Sequence, residues 1–264
     1  MLKVTDQVGY QLITPALPKR IISLVPSQTE LLFEMGLENE IIGITKFCVH
    51  PEKLVKSKIK IGGTKNINIQ KIRSLCPDLV VGNKEENIKT EIEKLLDFAP
   101  VWTSDIKTMQ DVYHMISALG KITGKVNEAQ SISTSITNSL KSFTDSFTPQ
   151  HKMKAAYCIW EKPLMVAGEN TFINHMLDLC MLENVFSDRK ERYPIVTHNE
   201  LKAASPDIIL LPSEPYPYQQ QHKDFYNQLA PNAKVSLVDG QMFSWYGSRL
   251  TLFPPYFKQL MRLW

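Results

Sequence analysis

A proline-free run from Gly124 to Phe147 constrains this chain more than any other feature. Val126, Ala129, Ile132, Ile136, Leu140, Phe143 and Phe147 recur at steps of three and four, with Ser, Thr, Asn and Lys between them. That is one apolar stripe on an amphipathic helix. At about 1.5 Å per residue such a helix is on the order of 35 Å long, enough to cross a small domain rather than sit inside one. Pro149 is expected to stop it. Blocks of strand and helix signals lie on both sides and share a phrase: Leu75-Cys76-Pro77-Asp78-Leu79-Val80-Val81 before the helix, and Ala204-Ser205-Pro206-Asp207-Ile208-Ile209-Leu210-Leu211 after it. The pattern predicts an N-terminal lobe over 1–120, a backbone helix over 121–148 and a C-terminal lobe over 149–264. The competing reading is a single α/β domain with one long helix.

Within each block, short apolar strands alternate with helical periodicity. Residues 1–19 carry Pro15 and Pro18 and read as an edge hairpin or irregular lead-in. Arg20 to Val25 is a strand running into a helix over Thr29 to Met35, with Ser27 or Thr29 as cap and Gly36 as its end. Strands follow at Glu40–Thr45, Lys58–Ile61, Leu79–Val81 and Ala99–Trp102, with helices from Asn68 and over Met109–Leu119. The pattern restarts with strands at Lys154–Trp160, Ile208–Leu211 and Lys234–Val238, a hairpin-like segment at Met165–Gly168, helices over Thr171–Cys180 and around Glu200, and a terminal helix. Strand, loop and helix repeated at this spacing predict two parallel sheets covered by helices, each binding ligands at its carboxyl edge.

The loops expected at that edge hold Phe47, His50, Thr64 and Asn83 in the first lobe. In the second, Trp160, Tyr193, Tyr216, Tyr218, Trp245 and Tyr246 fall at strand ends or turns, where amphipathic rings suit a flat organic ligand. His50 and His198 are the histidines placed to ligate a metal, and no two of the six histidines stand at i,i+4.

Composition excludes several classes. The 30 Lys and Arg are scattered against 27 Asp and Glu, so there is no nucleic-acid stripe. The four cysteines have neither metal nor redox spacing, and Cys76 and Cys158, set among apolar residues, read as small hydrophobes. No apolar run reaches the ~20 residues that cross a bilayer, so the chain does not span one. The stretch from Met1 to Arg20 carries no secretory signal, which reads as cytoplasmic as the sequence stands and periplasmic if a leader had been removed. Neither a phosphate loop nor a nucleophile elbow is present, which argues against an enzyme; a monomer with no cofactor of its own is expected.

The phrase from Arg20 to Glu30, the paired Pro-Asp strands, Gly168-Glu169-Asn170, Glu183-Asn184-Val185-Phe186 and Gly247-Ser248-Arg249 resemble the helical-backbone metal receptors. These are the substrate-binding proteins of cobalamin, heme and ferric-siderophore ABC importers, and the likeness is nearest to the cobalamin binders. The resemblance implies two Rossmann-like lobes joined by a single long helix, with a corrinoid, heme or ferric siderophore in a cleft and delivery to an ABC permease. It places Phe47, Thr64 and Asn83, then Met165, Tyr193 and the loop from Trp245 to Arg249, at the ligand, beside the aromatic candidates Trp160 and Tyr216. Trp245 and Tyr193 are expected to clamp a planar ligand. Arg249 is expected either to reach the ligand or to pair with Asp239. Permease docking in the family uses an acidic residue on each lobe. The matching positions here are Gln70 and Asn199, with Glu200 one place along, and neutral amides do not supply the charge half of an arginine pair. A cytoplasmic carrier that no longer docks is therefore the second reading.

Overall fold

A computed structural model describes residues 2–14, 16–147 and 151–264. The chain divides into two compact units, one of Met1–Ile106, Gln110–Thr137 and Tyr246–Arg249, the other of Lys107–Met109, Asn138–Trp245 and Leu250–Trp264.

The first unit opens with a hairpin, β1 (Leu2–Thr5) and β2 (Gln11–Thr14). It continues through β3 (Ile21–Ser23), α1 (Pro26–Glu34), β4 (Ile41–Ile44), α2 (Glu52–Val55), β5 (Ile59–Lys60), α3 (Ile69–Ser74), β6 (Leu79–Asn83), α4 (Lys89–Leu96) and β7 (Val101–Ser104). The last five strands form one parallel sheet in the order β5-β4-β3-β6-β7. A parallel sheet is covered on both faces, which is why every residue of β3 and β6 is buried. Ile22, Leu24, Ile61, Ile72, Val80, Leu95 and Val101 fill one side of it, each buried side chain contributing about 1.5–3 kcal/mol. The hairpin closes an open edge, since Gln7 N–H donates to Thr103 O and Asp6 Oδ2 accepts from Thr103 N–H on edge strand β7.

The structure corrects the expected cap of α1. Val25 is the N-cap and Pro26 takes the first helical position, where a missing N–H costs nothing. Thr29 lies inside the helix, and its hydroxyl turns to Val25 O and Ser23 Oγ instead. Gly36 ends α1 at φ +75 as expected, and the Asn68 side chain caps α3.

Gly124 divides the predicted helical run. At φ +73 it ends α5 (Met109–Thr123), and α6 (Val126–Ser146) begins two residues later. Gly120 lets the two helices meet, because a Cβ there would stand 2.5 Å from that of Ala129. Ala129, Ile136, Leu140 and Phe143 of the stripe are buried and Ile132 and Phe147 half-buried, but Val126, at the first turn of α6, is 53% exposed. The division between units falls inside α6, after Thr137. Pro149 lies outside the described residues.

The second unit continues with β8 (Met153–Glu161), β9 (Leu164–Val166), α7 (Phe172–Leu179), β10 (Leu182–Asn184), α8 (His198–Ala203), β11 (Ile208–Pro212), α9 (Gln220–Leu229), β12 (Lys234–Val238), α10 (Gly240–Ser244) and α11 (Phe253–Met261). Its sheet runs β10-β8-β11-β12, parallel throughout, with β9 antiparallel to β8. Phe143 of α6 meets Phe253 and Phe257 of α11 edge-on at 6.2 and 5.7 Å. No helix among the described residues is long and apolar enough to cross a membrane.

The shared phrase builds the same corner twice. Cys76 and Ser205 both adopt left-handed backbone ahead of proline, at φ 44 and 47. Asp78 then accepts from Lys19 and Arg20 N–H at the start of β3, as Asp207 accepts from Lys154 N–H at the start of β8. The corner turns Cys76 outward, so it is exposed rather than a core hydrophobe, whereas Cys158 is buried.

Candidate functional site

The carboxyl edge of the first sheet carries the loops after β4, β5 and β6. Phe47 is 51% exposed and Val49 45%. The Phe47 ring rests over Gly63, where a Cβ would stand 3.1 Å from its edge, and Lys46 Nζ lies 5.1 Å from its centroid. Thr64 is half-buried, and its carbonyl accepts from Asn87 Nδ2 at 3.0 Å. Asn83 faces inward at 2% exposure. Its Nδ2 donates to Ser104, and its Oδ1 accepts from Glu85 and Glu86 N–H. The side chain is spent on shaping its own loop, a correction to the expectation that it faces a ligand. Below them Cys48 sits 3.1 and 3.2 Å from the hydroxyls of Thr29 and Thr45, its thiol pushed up by burial.

In the second unit the aromatic residues cluster at strand ends. Trp160 is 40% exposed, donates through Nε1 to Lys162 O, and meets Tyr216 edge-on at 5.4 Å. Tyr216 packs on Tyr218 at 4.7 Å and bonds His222 Nε2 through its hydroxyl. Met165 is half-buried on β9 and bridges Ile195, which is 64% exposed, and Tyr193 is half-buried two residues earlier. Trp245 differs from this group. It is 7% exposed and donates to Glu214 Oε1 at 2.6 Å, so its ring serves the packing of the loop after β11.

Arg249, expected to meet Asp239 or a ligand, finds its carboxylate on α1. Its guanidinium grips Glu30 with two bonds, Nε to Oε2 at 2.8 Å and Nη2 to Oε1 at 2.7 Å. Asp239 caps α10, accepting from Gln241 N–H. Gly247, at φ +118, brings the inserted segment against Leu31, and Tyr246 is buried there with its phenol held up first by burial and then by Glu86 and Glu85. Glu30 escaped the sequence reading because its partner lies near the other end of the chain.

Among the described residues no group of three or more His, Cys, Asp and Glu side chains could hold a metal ion. His198 faces the carboxylate of Glu161 at 3.4 Å, and His50 precedes Pro51 in a loop. Gln70 and Asn199 are exposed on α3 and α8. Glu200 forms a capping box with Thr197 and pairs with Arg189 at 3.0 Å.

Two parallel α/β sheets with exposed apolar side chains at their carboxyl edges, and a helix that begins in one unit and ends in the other, define a two-unit α/β binding protein. The family model described as periplasmic binding protein matches residues 21–239, and the chain belongs to that family. A vitamin B12-binding protein of Pectobacterium carotovorum is 25% identical over 240 residues, covering 90% of this chain and 86% of the relative. The fold is similar to that of the periplasmic vitamin B12-binding protein of Vibrio cholerae, with a TM-score of 0.80 at 20% identity over 93% of this chain and 97% of the other. It is also similar to a periplasmic catecholate-siderophore binding protein of Vibrio cholerae, with a TM-score of 0.79 at 15% identity over 98% and 99%.

Proposed function

We propose that this protein holds a flat, metal-centred ligand, a corrinoid first and heme or a ferric siderophore next, and hands it to an ABC permease on the side of the membrane from which solute is imported. The observation that carries the reading is the exposure of Phe47 and Val49 at the edge of the first sheet and of Trp160 and Ile195 in the second unit. Such side chains leave water gladly against a large planar face. Phe47, Thr64, Met165, Trp160, Tyr193 and Tyr216 are the contact residues in this reading, with Trp245 as support for the loop after β11. The family membership and the vitamin B12-binding relative favour the importer reading over a carrier without a permease.

Calorimetric titration with cyanocobalamin, hemin and a ferric catecholate tests it. One of the three is expected to bind at 1:1. Trp160→Ala is then expected to weaken that binding several-fold, since ring stacking contributes roughly 0.5–1.5 kcal/mol beyond area burial. A folded protein that binds none of the three would refute the proposal.

A further inference from the structure

Glu161 closes β8, one residue after Trp160, and its side chain is only 10% exposed. The chain then reverses into β9, so that Trp160 faces Met165 and Glu161 faces Leu164 across the hairpin. The carboxylate is held from behind by other elements. Tyr226 of α9 donates its hydroxyl to Oε2 at 2.7 Å. His198, the first residue of α8, brings Nε2 to 3.4 Å from Oε1, an ion pair when the ring is protonated. The His198 ring is seated edge-on against Phe225 and Tyr226, at 5.1 and 5.9 Å, which fixes its direction. Tyr218 lies in the same cluster, and its phenol and that of Tyr226 are raised by burial first and by Cys158 and Glu161 after it. Burying a carboxylate is costly unless donors hold it, so this one is tied to α9 and flanked by α8 rather than left to wander. Trp160 Nε1 bonds Lys162 O within the hairpin, so the indole moves with the segment that Glu161 anchors.

We propose that Glu161 is a positioning residue for ligand binding: bonded by Tyr226 and flanked by His198, it fixes the β8–β9 hairpin so that Trp160 and Met165 are presented before the ligand arrives. The inference rests on the reading above, in which those two side chains touch the ligand. A preset contact spares the ligand the cost of ordering it.

The test uses Glu161→Ala, Glu161→Gln and Tyr226→Phe in the full chain, with Trp160→Phe as the reference that isolates the Trp160 emission. The indole is 40% exposed in the structure. In ligand-free protein, acrylamide quenching of its emission is expected to rise about twofold in Glu161→Ala as the ring moves toward full exposure. Tyr226→Phe is expected to follow it, and Glu161→Gln, which keeps an acceptor for Tyr226, to recover part of the loss. Affinity for whichever of cyanocobalamin, hemin or ferric catecholate binds the wild type is expected to fall about tenfold in Glu161→Ala, the effect of removing one charged partner from a buried set. Quenching equal to wild type in Glu161→Ala and Tyr226→Phe overturns the anchor whether or not any probe binds. Raised quenching with unchanged affinity overturns the positioning role. If no probe binds the wild type, the ligand reading fails and takes the positioning role with it, while quenching still decides whether Glu161 holds the hairpin. Should Glu161→Ala not fold, Tyr226→Phe carries both measurements.

Discussion

Replacing Arg249 with Leu should destabilise the ligand-free protein, because the guanidinium is committed to Glu30. Both bonds are short, and the two side chains are only 10% and 16% exposed. Removing one partner of a fully buried ion pair costs about 3–5 kcal/mol, since the other charge is stranded. Residual solvent contact at both side chains lowers the expectation here to about 2–4 kcal/mol. At roughly 2–4 °C per kcal/mol for a chain of this size, the melting midpoint should fall by about 4–16 °C. Arg249→Lys keeps the charge but loses the two-pronged geometry, so it should lose about 1 kcal/mol. Combining Arg249→Leu with Glu30→Leu should restore part of the loss, because no charge is then left unpaired. Circular dichroism melts of the four proteins without ligand measure this directly. An Arg249→Leu midpoint within about a degree of wild type, paired with a clear loss of ligand affinity, would refute the argument and return Arg249 to the ligand.

Thiol labelling of the native protein should modify Cys76 rapidly and leave Cys48, Cys158 and Cys180 until denaturant is added, because burial shields those three and pushes their thiols up; fast native labelling of two or more would contradict this. Asp78→Ala should lower the denaturation midpoint more than Asp207→Ala, since Asp78 accepts two backbone N–H groups and Asp207 one, at about 1 kcal/mol per bond. Thr197 N–H, the Thr197 hydroxyl and Arg189 hold the Glu200 carboxyl below its ordinary 4.5. Its contribution is therefore present above 4.5 and lost as pH falls through the lower folded value. Amide exchange in α8, corrected for intrinsic rates, should be better protected at neutral pH than in acid, and Glu200→Gln should flatten the difference.

The parts of the fold written in local chemistry were legible. Apolar strands, the Asn68 cap, the Gly36 stop and the α6 stripe from Ala129 onward each depend on neighbours a few residues away, and they appear where the spacing puts them. The twin Pro-Asp phrases could be seen as a repeat, but not what they do, because each Asp finds its donors more than fifty residues back along the chain. Sequence distance likewise hid the Glu30–Arg249 pair and the Tyr226 and His198 contacts of Glu161. The cap of α1 was misread because a threonine hydroxyl satisfies a preceding carbonyl as readily as a following N–H. Among the candidate rings, the fold leaves Phe47 and Trp160 exposed and Tyr216 half-buried against the second core. Residue type was a poor guide to Asn83 and Trp245, whose side chains the fold turns inward.

Hydrogen exchange with and without the ligand found by titration reports which loops of both units the ligand covers. New protection is expected in the loops at residues 46–50, 63–65 and 84–87 of the first unit and at 160–165, 192–196 and 213–217 of the second, with the exposed faces of α4 and α9 unchanged. Protection confined to one unit, or centred on segments at the amino edges of the sheets, would contradict that expectation.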